Sequence, residues 1–326
     1  MLGVDIGACS LKLVQGVRPG IVENDHRFAY EEQLEGRTLE PVREQLWALI
    51  RANGYKEQPV WGSVSSVYAK THIAEFPRMS EDELKGAVEL EAGEYASSDW
   101  GEVDVDYQVL EEVADDQLRV LLVVCPRSLT EEYIRLFREC SLYPVGLTID
   151  AVSIVTTFQS AFPSHQRAVR WAVLVDIGAR RTNIDVVEGD MLQIVRNVDF
   201  GENTLRENAG AAEEESASDD LKVTEENFEQ LLTPLITELE RTIEYYRRML
   251  RQRGDAGAGE DFQLFICGGG ASLTRIVDVL TGRIQKDVQV LDPFQNMQVN
   301  TAAADESAVE RSVYAVAVGN LICGLS

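Results

Sequence analysis

The sequence predicts an α/β protein made of two homologous lobes, each of which opens with an antiparallel β-meander. The string Val4-Asp5-Ile6-Gly7-Ala8 recurs as residues 175–179. Each copy ends an apolar run that is typical of a buried strand. The same order of strand, turn and strand follows both copies, which favours a duplication over a chance match.

The remaining elements follow from periodicity and turn residues. The predicted meander strands are 1–4, 11–14 and 21–22 in the first half, and 172–175, 182–187 and 192–195 in the second. Further strands are predicted at 103–110, 118–124, 143–149 and 262–266. Helices are predicted at 38–51, 80–94, 130–140, 224–253 and 308–321, with Pro234 as a kink or boundary. Ser80 and Glu83 form a capping box. The acidic, nonperiodic stretch 210–220 is predicted to be a loop.

Charge and composition exclude several function classes. The chain has 326 residues, 45% of them apolar, and a formal net charge of -25. This field repels nucleic acid and anionic lipid, so we expect neither as a partner. Five scattered cysteines without C-x-x-C spacing argue against disulfides and zinc. Motif-like sequence begins at Leu2, so we expect no signal peptide. The apolar run 313–325 is judged too short for a membrane span, and the protein is expected in the cytoplasm.

The first Asp-Gly corner has the chemistry of a phosphate-binding turn. Gly7 leaves room for a phosphate oxygen beside backbone N–H groups. Ser10 adds a hydroxyl donor, and Lys12 adds a cation that can reach a β- or γ-phosphate. Asp5 repels phosphate, so its expected role is to hold Mg²⁺ or the water around it. Taken alone, the motif fits an ordinary hairpin turn equally well.

The second corner repeats this chemistry from the other half of the chain. Asp176, Gly178 and Thr182 stand in the second copy, and two such turns can grip a triphosphate from both sides. Asp176 is a second candidate for Mg²⁺. Arg180 and Arg181 either bind the γ-phosphate or are solvated loop charges, and we favour the solvated reading.

A third glycine-rich turn follows the predicted strand 262–266. Gly268, Gly269 and Gly270 have no side chains to block a base or an α-phosphate at the start of a helix. A bare glycine triplet is a weak signal. Two Asp-Gly hairpins followed by this turn form a stronger one.

This order of motifs resembles the actin, Hsp70 and sugar kinase superfamily, whose duplicated, ribonuclease H-like fold binds nucleotide between two lobes. The finer resemblance is to the PilM family of type IV pilus assembly, in the FtsA-like branch. It is carried by residues 4–14, by Phe76-Pro77-Arg78-Met79-Ser80-Glu81, and by residues 105–110, 143–150, 291–294 and 315–319. The family usually has Ser where Ala8 and Cys9 stand here, and the stretch after Gly201 also departs from it.

The resemblance implies an actin-like two-lobed fold with a small α+β domain inserted in lobe 1. Lobe 1 is expected at 1–165 with the insert at about 66–149. Lobe 2 is expected at 166–326 with a small subdomain at about 201–258. The C-terminal helix, at about 306–326, is expected to pack back on lobe 1.

The resemblance also implies function. ATP and Mg²⁺ are the expected cofactors, with at most slow ATPase activity. Asp150 stands where the family carries an acid suited to ordering water, and Glu238 and Arg241 stand where relatives contact adenosine, although a helix-face charge pair explains these two as well. The expected partner is the N-terminal cytosolic tail of a PilN-like inner-membrane protein, bound between lobe 1 and its insert. That partner would recruit this chain to the membrane, and this chain would act as a scaffold that links the partner to motor ATPases. The rival interpretation is a small-molecule kinase of the same superfamily.

Overall fold

The computed structural model describes residues 1–30, 39–113, 116–163, 169–205, 225–254, 259, 261–273 and 275–326. The α-helices described there are α1 (Glu40–Ala52), α2 (Glu81–Tyr95), α3 (Arg127–Glu139), α4 (Asp150–Ala161), α5 (Glu225–Gln252), α6 (Ile276–Ile284), α7 (Ala308–Arg311) and α8 (Ala315–Leu325). The strands are β1 (Leu2–Ile6), β2 (Ser10–Gln15), β3 (Ile21–Val22), β4 (Asn24–Ala29), β5 (Pro59–Val64), β6 (Lys70–Pro77), β7 (Val103–Val113), β8 (Gln117–Pro126), β9 (Tyr143–Ile149), β10 (Trp171–Ile177), β11 (Thr182–Glu188), β12 (Met191–Val198), β13 (Phe262–Cys267), β14 (Val288–Val290) and β15 (Gln298–Val299).

Both lobes are built on a five-stranded sheet of the same topology. The order is β4-β2-β1-β5-β9 in lobe 1 and β12-β11-β10-β13-β14 in lobe 2. In each lobe the strands therefore lie in the order third, second, first, fourth, fifth. The first three pair antiparallel and the last two join in parallel. The duplication predicted from two matching pentapeptides extends to the whole topology.

The third strand of the first meander was placed wrongly by the sequence. It is Asn24–Ala29, which pairs with β2, whereas Ile21–Val22 leaves the meander and pairs in parallel with Gln298–Val299 near the C-terminus. Asn24–Ala29 is an edge strand with most of its residues exposed or half-buried. Such a strand needs no apolar alternation, so the periodicity that marks buried strands does not reveal it.

The inserted subdomain is a three-stranded antiparallel sheet, β6-β8-β7, with α2 on one face. Leu118, Val120 and Leu122 of β8 pack on α2. The predicted capping box begins this helix: the Ser80 backbone N–H donates to Glu83 at 2.9 Å, and the Glu83 N–H donates back to the Ser80 hydroxyl at 3.4 Å. The predicted end of the insert at residue 149 is too late, because Tyr143–Ile149 is the fifth strand of the lobe 1 sheet and pairs with β5.

Lobe 2 is covered by one long helix. The apolar face of α5, including Leu232, Leu239 and Tyr246, packs into the core of the lobe 2 sheet. Pro234 lies inside α5 and does not end it. The predicted loop 210–220 falls outside the described residues. Of the predicted small subdomain at 201–258, residues 201–205 and 225–254 are described.

Helix α4 joins the two lobes. It packs on α8 and touches strands of both sheets. Phe158 on α4 and Phe162 just after it contact Phe265 of β13, with ring centroids 5.1 and 4.8 Å apart. Aromatic pairs at this separation add to the apolar area that they bury. The interlobe contact is therefore apolar at its centre.

The C-terminal helical run is buried against lobe 1. Residues 308–325 form 18 helical residues of mean hydropathy 1.2, which is enough for a membrane span by length and composition. The sequence prediction considered only the apolar run 313–325, whereas the helical run begins five residues earlier, at Ala308. However, 56% of this stretch is buried inside the protein, as in a core helix. Asn320, in its middle, is fully buried and hydrogen-bonded.

We expect Asn320→Ala to lower the free energy of unfolding by about 3 kcal/mol. The Asn320 side chain donates to the Val4 carbonyl at 2.8 Å and to the Ser63 hydroxyl at 2.9 Å, and it accepts from Ser153 at 2.6 Å. Its loss strands these three buried groups. Urea unfolding at constant m-value measures the change. Ser326→Ala, at the exposed end of the same helix, is the control and should change little. An unaltered midpoint for Asn320→Ala would show that these bonds do not hold the helix.

Candidate functional site

A cleft of about 870 Å³ lies between the two lobes. Both Asp-Gly corners open onto it, as does the glycine-rich turn after β13. Asp5 and Asp176 therefore face one cavity, which was the requirement of the sequence interpretation. The predicted site residues that line the cleft are Asp5, Gly7, Ser10, Lys12, Asp150, Asp176, Gly178, Gly268 and Gly269.

The two corners share one backbone geometry. The Gly7 N–H donates to the Ser10 carbonyl at 3.0 Å, and the Gly178 N–H donates to the Arg181 carbonyl at 2.9 Å. A Cβ added at Gly7 would come within 2.8 Å of the Lys12 ammonium. A Cβ at Gly178 would come within 2.9 Å of the Arg181 carbonyl. The backbone contact at Gly178 favours glycine there, whereas at Gly7 the nearest atom is the end of a flexible lysine side chain that can move aside.

The corners differ in the side chain that stands opposite the aspartate. Asp5 lies across from Lys12 on the neighbouring strand, and their side chains form an ion pair of 2.9 Å that is mostly shielded from solvent. Asp176 lies across from Asn183 at the equivalent position. The second carboxylate therefore lacks the cross-strand cation that neutralises the first. The cleft is asymmetric in charge despite its symmetric backbone.

The glycine-rich turn begins with Gly268, where any other residue would be strained. Gly268 has φ of +82°, in the region that favours glycine. A Cβ there would collide with the Asp176 carboxylate and lie 2.6 Å from the Ile177 carbonyl. Gly269 follows in a short 3₁₀ turn that lines the cleft. The third turn is therefore packed directly on the second corner.

Burial raises the pKa values of two carboxyl groups in the cleft, those of Asp150 and Asp176, and repulsion between carboxylates adds to the shift at Asp176. Burial, followed by the charges of Asp150 and Asp5, raises the pKa of Asp176 to about 7, against the opposing effect of Lys12. Burial also raises the pKa of Asp150, although its carboxylate accepts from the Ser66 and Ala151 N–H groups, each at 2.8 Å. Asp185 does not line the cleft and is fully buried. Neither of its carboxylate oxygens has a hydrogen-bond partner among the described residues, and burial raises its pKa far above the usual range.

Four predicted residues do not line the cleft. Thr182 is fully buried and donates its hydroxyl to the Phe200 carbonyl at 2.9 Å. Gly270 is buried against Ile177. Glu238 on α5 pairs with Arg196 at 2.5 Å and with Arg241 at 3.5 Å. That is the helix-face charge pair that the sequence left open.

Sequence reasoning missed several residues of the cleft. Asn183 was recoverable, because it stands seven positions after Asp176 just as Lys12 stands seven after Asp5. The others arrive from distant segments and carry no local motif. Among them are Tyr68, Tyr133, Glu202 and Asn203.

Within the described ranges, no group of three or more His, Cys, Asp or Glu side chains converges as a metal site. Asp5 and Asp176 both line the cleft, with Asp5 ion-paired to Lys12 at 2.9 Å. Mg²⁺ commonly binds through one or two carboxylates, waters and phosphate oxygens rather than in an all-protein cage. The donor set fits a magnesium ion that arrives with a phosphate ligand.

The duplicated sheets and the interlobe cleft with its three turns define an actin-like protein, as the sequence predicted. Residues 3–322 match the family model described as type IV pilus assembly protein PilM. The chain therefore belongs to the PilM family.

Two solved structures illustrate the fold. A PilM-PilN type IV pilus biogenesis complex matches with a TM-score of 0.81 and 20% identity, over 100% of this chain and 98% of that one. The ethanolamine utilization protein EutJ from Carboxydothermus hydrogenoformans matches with a TM-score of 0.51 and 12% identity, over 98% and 88% of the two chains. Neither match favours the kinase interpretation.

We expect Asp176→Asn to stabilise the nucleotide-free protein at pH 8 but not at pH 4. The folded pKa near 7 lies above the ordinary 3.8. The native state therefore retains a proton that the unfolded chain has lost, and stability from this group falls as pH rises towards 7. The amide removes the cost of ionisation, which is on the order of 4 kcal/mol for a pKa shift of this size. Urea midpoints across this range with EDTA measure the difference. The exposed Asp261→Asn is the control, and a pH-independent offset for Asp176→Asn would contradict the expectation.

Proposed function

We propose that this protein is a cytoplasmic, ATP-binding scaffold of type IV pilus assembly. It binds the N-terminal cytosolic tail of a PilN-like inner-membrane protein and reaches the membrane through that partner. Family membership and the likeness to the PilM-PilN complex support this proposal. The observation that carries it is a second cavity, a groove of about 400 Å³ between the inserted sheet and lobe 1.

The nucleotide part of the proposal rests on the cleft. Backbone N–H groups at two facing corners, the Ser10 hydroxyl and the Lys12 ammonium suit a polyphosphate. Gly268 and Gly269 leave the third turn bare for the nucleoside end of the ligand. Asp5 and Asp176 would hold Mg²⁺ directly or through water, and the ion would relieve their mutual repulsion. When bound, Mg²⁺ supplies charge neutralisation for the phosphates.

We infer that turnover is slow at most. Asp150, the residue proposed to order water, is held by the N–H groups of Ser66 and Ala151. Burial raises the pKa of Asp150, which suits a base. The two hydrogen bonds that its carboxylate accepts reduce its capacity to take up a proton. Nucleotide on this view sets the conformation of the cleft rather than fuelling rapid catalysis.

The peptide part of the proposal rests on two free sheet edges. Strand β7 is an edge of the inserted sheet and β9 is an edge of the lobe 1 sheet, and both border the groove. An extended peptide can hydrogen-bond to such an edge while its side chains enter alternate pockets. Leu121, Val123 and Leu147 supply an apolar lining.

The charge of the groove suits a tail from a membrane protein. Asp104 and Asp106 lie on its β7 side. Asp104 is engaged by Arg127 at 2.9 Å, whereas Asp106 is exposed. Cytosolic tails next to membrane spans are enriched in Lys and Arg. A free amino terminus and basic residues would therefore be attracted to this rim and to the net charge of -25.

For the cleft, we expect Gly268→Val to weaken MgATP binding at least tenfold, because its side chain would enter the space of the Asp176 carboxylate. Asp5→Ala should reduce binding and its dependence on Mg²⁺. Isothermal titration with and without Mg²⁺ measures both. Gly282→Ala, on the open surface of α6, is a matched glycine control. Unaltered affinity in both test variants would remove the cleft assignment, and substrate-dependent phosphate transfer to sugars or short acids would favour a kinase.

For the groove, we expect Val123→Lys to reduce binding of a PilN-like N-terminal peptide at least tenfold. Val123 lies in the middle of β8 and lines the groove. The added ammonium would fill the apolar pocket and repel a basic peptide. Fluorescence anisotropy with a labelled peptide measures the loss. Val109→Lys, on β7 outside the groove lining, is the matched control, and equal binding by both variants would show that the groove is wrongly placed.

A further inference from the structure

Helix α2 presents an unpartnered ridge to solvent. We call Gly86, Leu90 and Gly93 the glycine–leucine ridge. Leu90 is 81% exposed, the highest value among the large apolar side chains that the structure describes as exposed. At 100° per residue, Gly86 and Gly93 lie within about 60° of Leu90 on the helix surface. The ridge is therefore one continuous strip.

The ridge lies opposite the face that holds α2 in the subdomain. Leu84, Val88 and Ala92 are buried against the inserted sheet. The same helical spacing places them on the far side of α2 from Leu90. The capping box and this buried face account for the position of the helix without any contribution from the ridge.

Among the residues that the structure describes, none accounts for two glycines inside this helix. A Cβ added at Gly86 or Gly93 would meet nothing within 4 Å. Both lie in α2, where glycine is among the least favourable residues. Neither is required by a turn, since no positive φ is found at either. What glycine offers at these two positions is an uncovered helix backbone that another chain can approach closely.

Acidic side chains border the ridge on both sides. Glu83 and Glu94 lie on one flank, and Asp82 and Glu89 lie on the other, all exposed. A second copy of this ridge would bring eight carboxylates together, and an anionic membrane would be repelled in the same way. The charge is complementary to a basic partner.

We propose that the glycine–leucine ridge docks a basic amphipathic helix of a partner protein. The bare backbone at Gly86 and Gly93 lets that helix approach closely, and Leu90 enters its apolar stripe. Its Lys or Arg side chains pair with Asp82, Glu89 and Glu94, because the Glu83 carboxylate is already engaged by Ser80. Helix-on-helix docking of this kind uses an apolar seam bordered by charges that select the partner. The occupant is thus a helix, unlike the extended peptide proposed for the groove.

The ridge is separate from the groove. Leu118, Val120 and Leu122 of β8 face α2, whereas the alternate residues Leu121 and Val123 line the groove. Successive residues of a strand point to opposite faces, so one sheet divides the two surfaces. The proposal therefore does not depend on the groove being a peptide site.

Photo-crosslinking in cells tests the proposal. The full chain carries p-benzoylphenylalanine in place of the exposed Lys85, one helical turn before Glu89, and the crosslinked segment is mapped by mass spectrometry. The expected product is a segment of another protein with an apolar helical stripe bordered by Lys or Arg. Leu90→Ser should lower its yield at least fivefold. The same probe at exposed Glu75, on β6, is the control. No product, lipid, a second copy of this chain, or a segment without basic residues would overturn the proposal.

A paired substitution separates docking from folding. Gly86→Ala with Gly93→Ala should raise the melting temperature by about 2 °C, because alanine is the better helix former. The same variant should lower the crosslink yield at least threefold, because two methyl groups cover the backbone. Together these results show loss of docking in a better-folded protein. An unchanged or increased yield in the double variant would contradict close approach at the glycines.

Discussion

The electrostatics of the cleft follow from one constraint. The symmetric backbone brings the carboxylates of Asp5 and Asp176 into the same cavity. Each corner ends a strand at an aspartate, and the duplication turns both aspartates towards the same cavity, where Asp150 joins them. Lys12 forms an ion pair with Asp5. Asp176 has Asn183 in place of that lysine, and burial, followed by the charges of Asp150 and Asp5, raises its pKa to about 7. A site with excess negative charge beside N–H donors favours a ligand that brings a cation together with phosphate oxygens. Hence the asymmetry at a single register position shapes the chemistry of the whole cleft.

The sequence predicted features that are encoded in a few consecutive residues. It did not predict features that depend on how distant segments pack together. Both corners, the third turn and the capping box were predicted because each is written in consecutive residues. Asn24–Ala29 was missed because an exposed edge strand carries no apolar period. Thr182 was predicted to bind the ligand, but its hydroxyl donates to the Phe200 carbonyl. Which side of a strand faces the cleft depends on register, and a shift of one residue exchanges the two faces.

Charged residues also connect the insert to lobe 2. Arg119 of β8 is nearly buried and pairs with Glu111 of β7 at 2.8 Å. Glu111 lies 3.9 Å from Arg253 after α5, which binds Glu188 at 2.7 Å. Glu188 ends β11, the strand whose other end borders the cleft. The contact between Glu111 and Arg253 is long and its side chains are partly exposed, so its contribution to stability is small. It is a charged contact between the insert and lobe 2.

The inserted sheet adds two surfaces to the actin-like fold, one on each of its faces. Alternate residues of β8 point to its two faces. One set packs against α2, and the other set lines the groove. An extended chain suits the groove because β7 and β9 offer unpaired edges, whereas a helix suits the ridge because glycine exposes a helix backbone. The two surfaces differ in backbone geometry, because strand edges border the groove whereas a helix surface forms the ridge. A single layer of sheet separates them, and both remain joined to the lobe that bears the cleft.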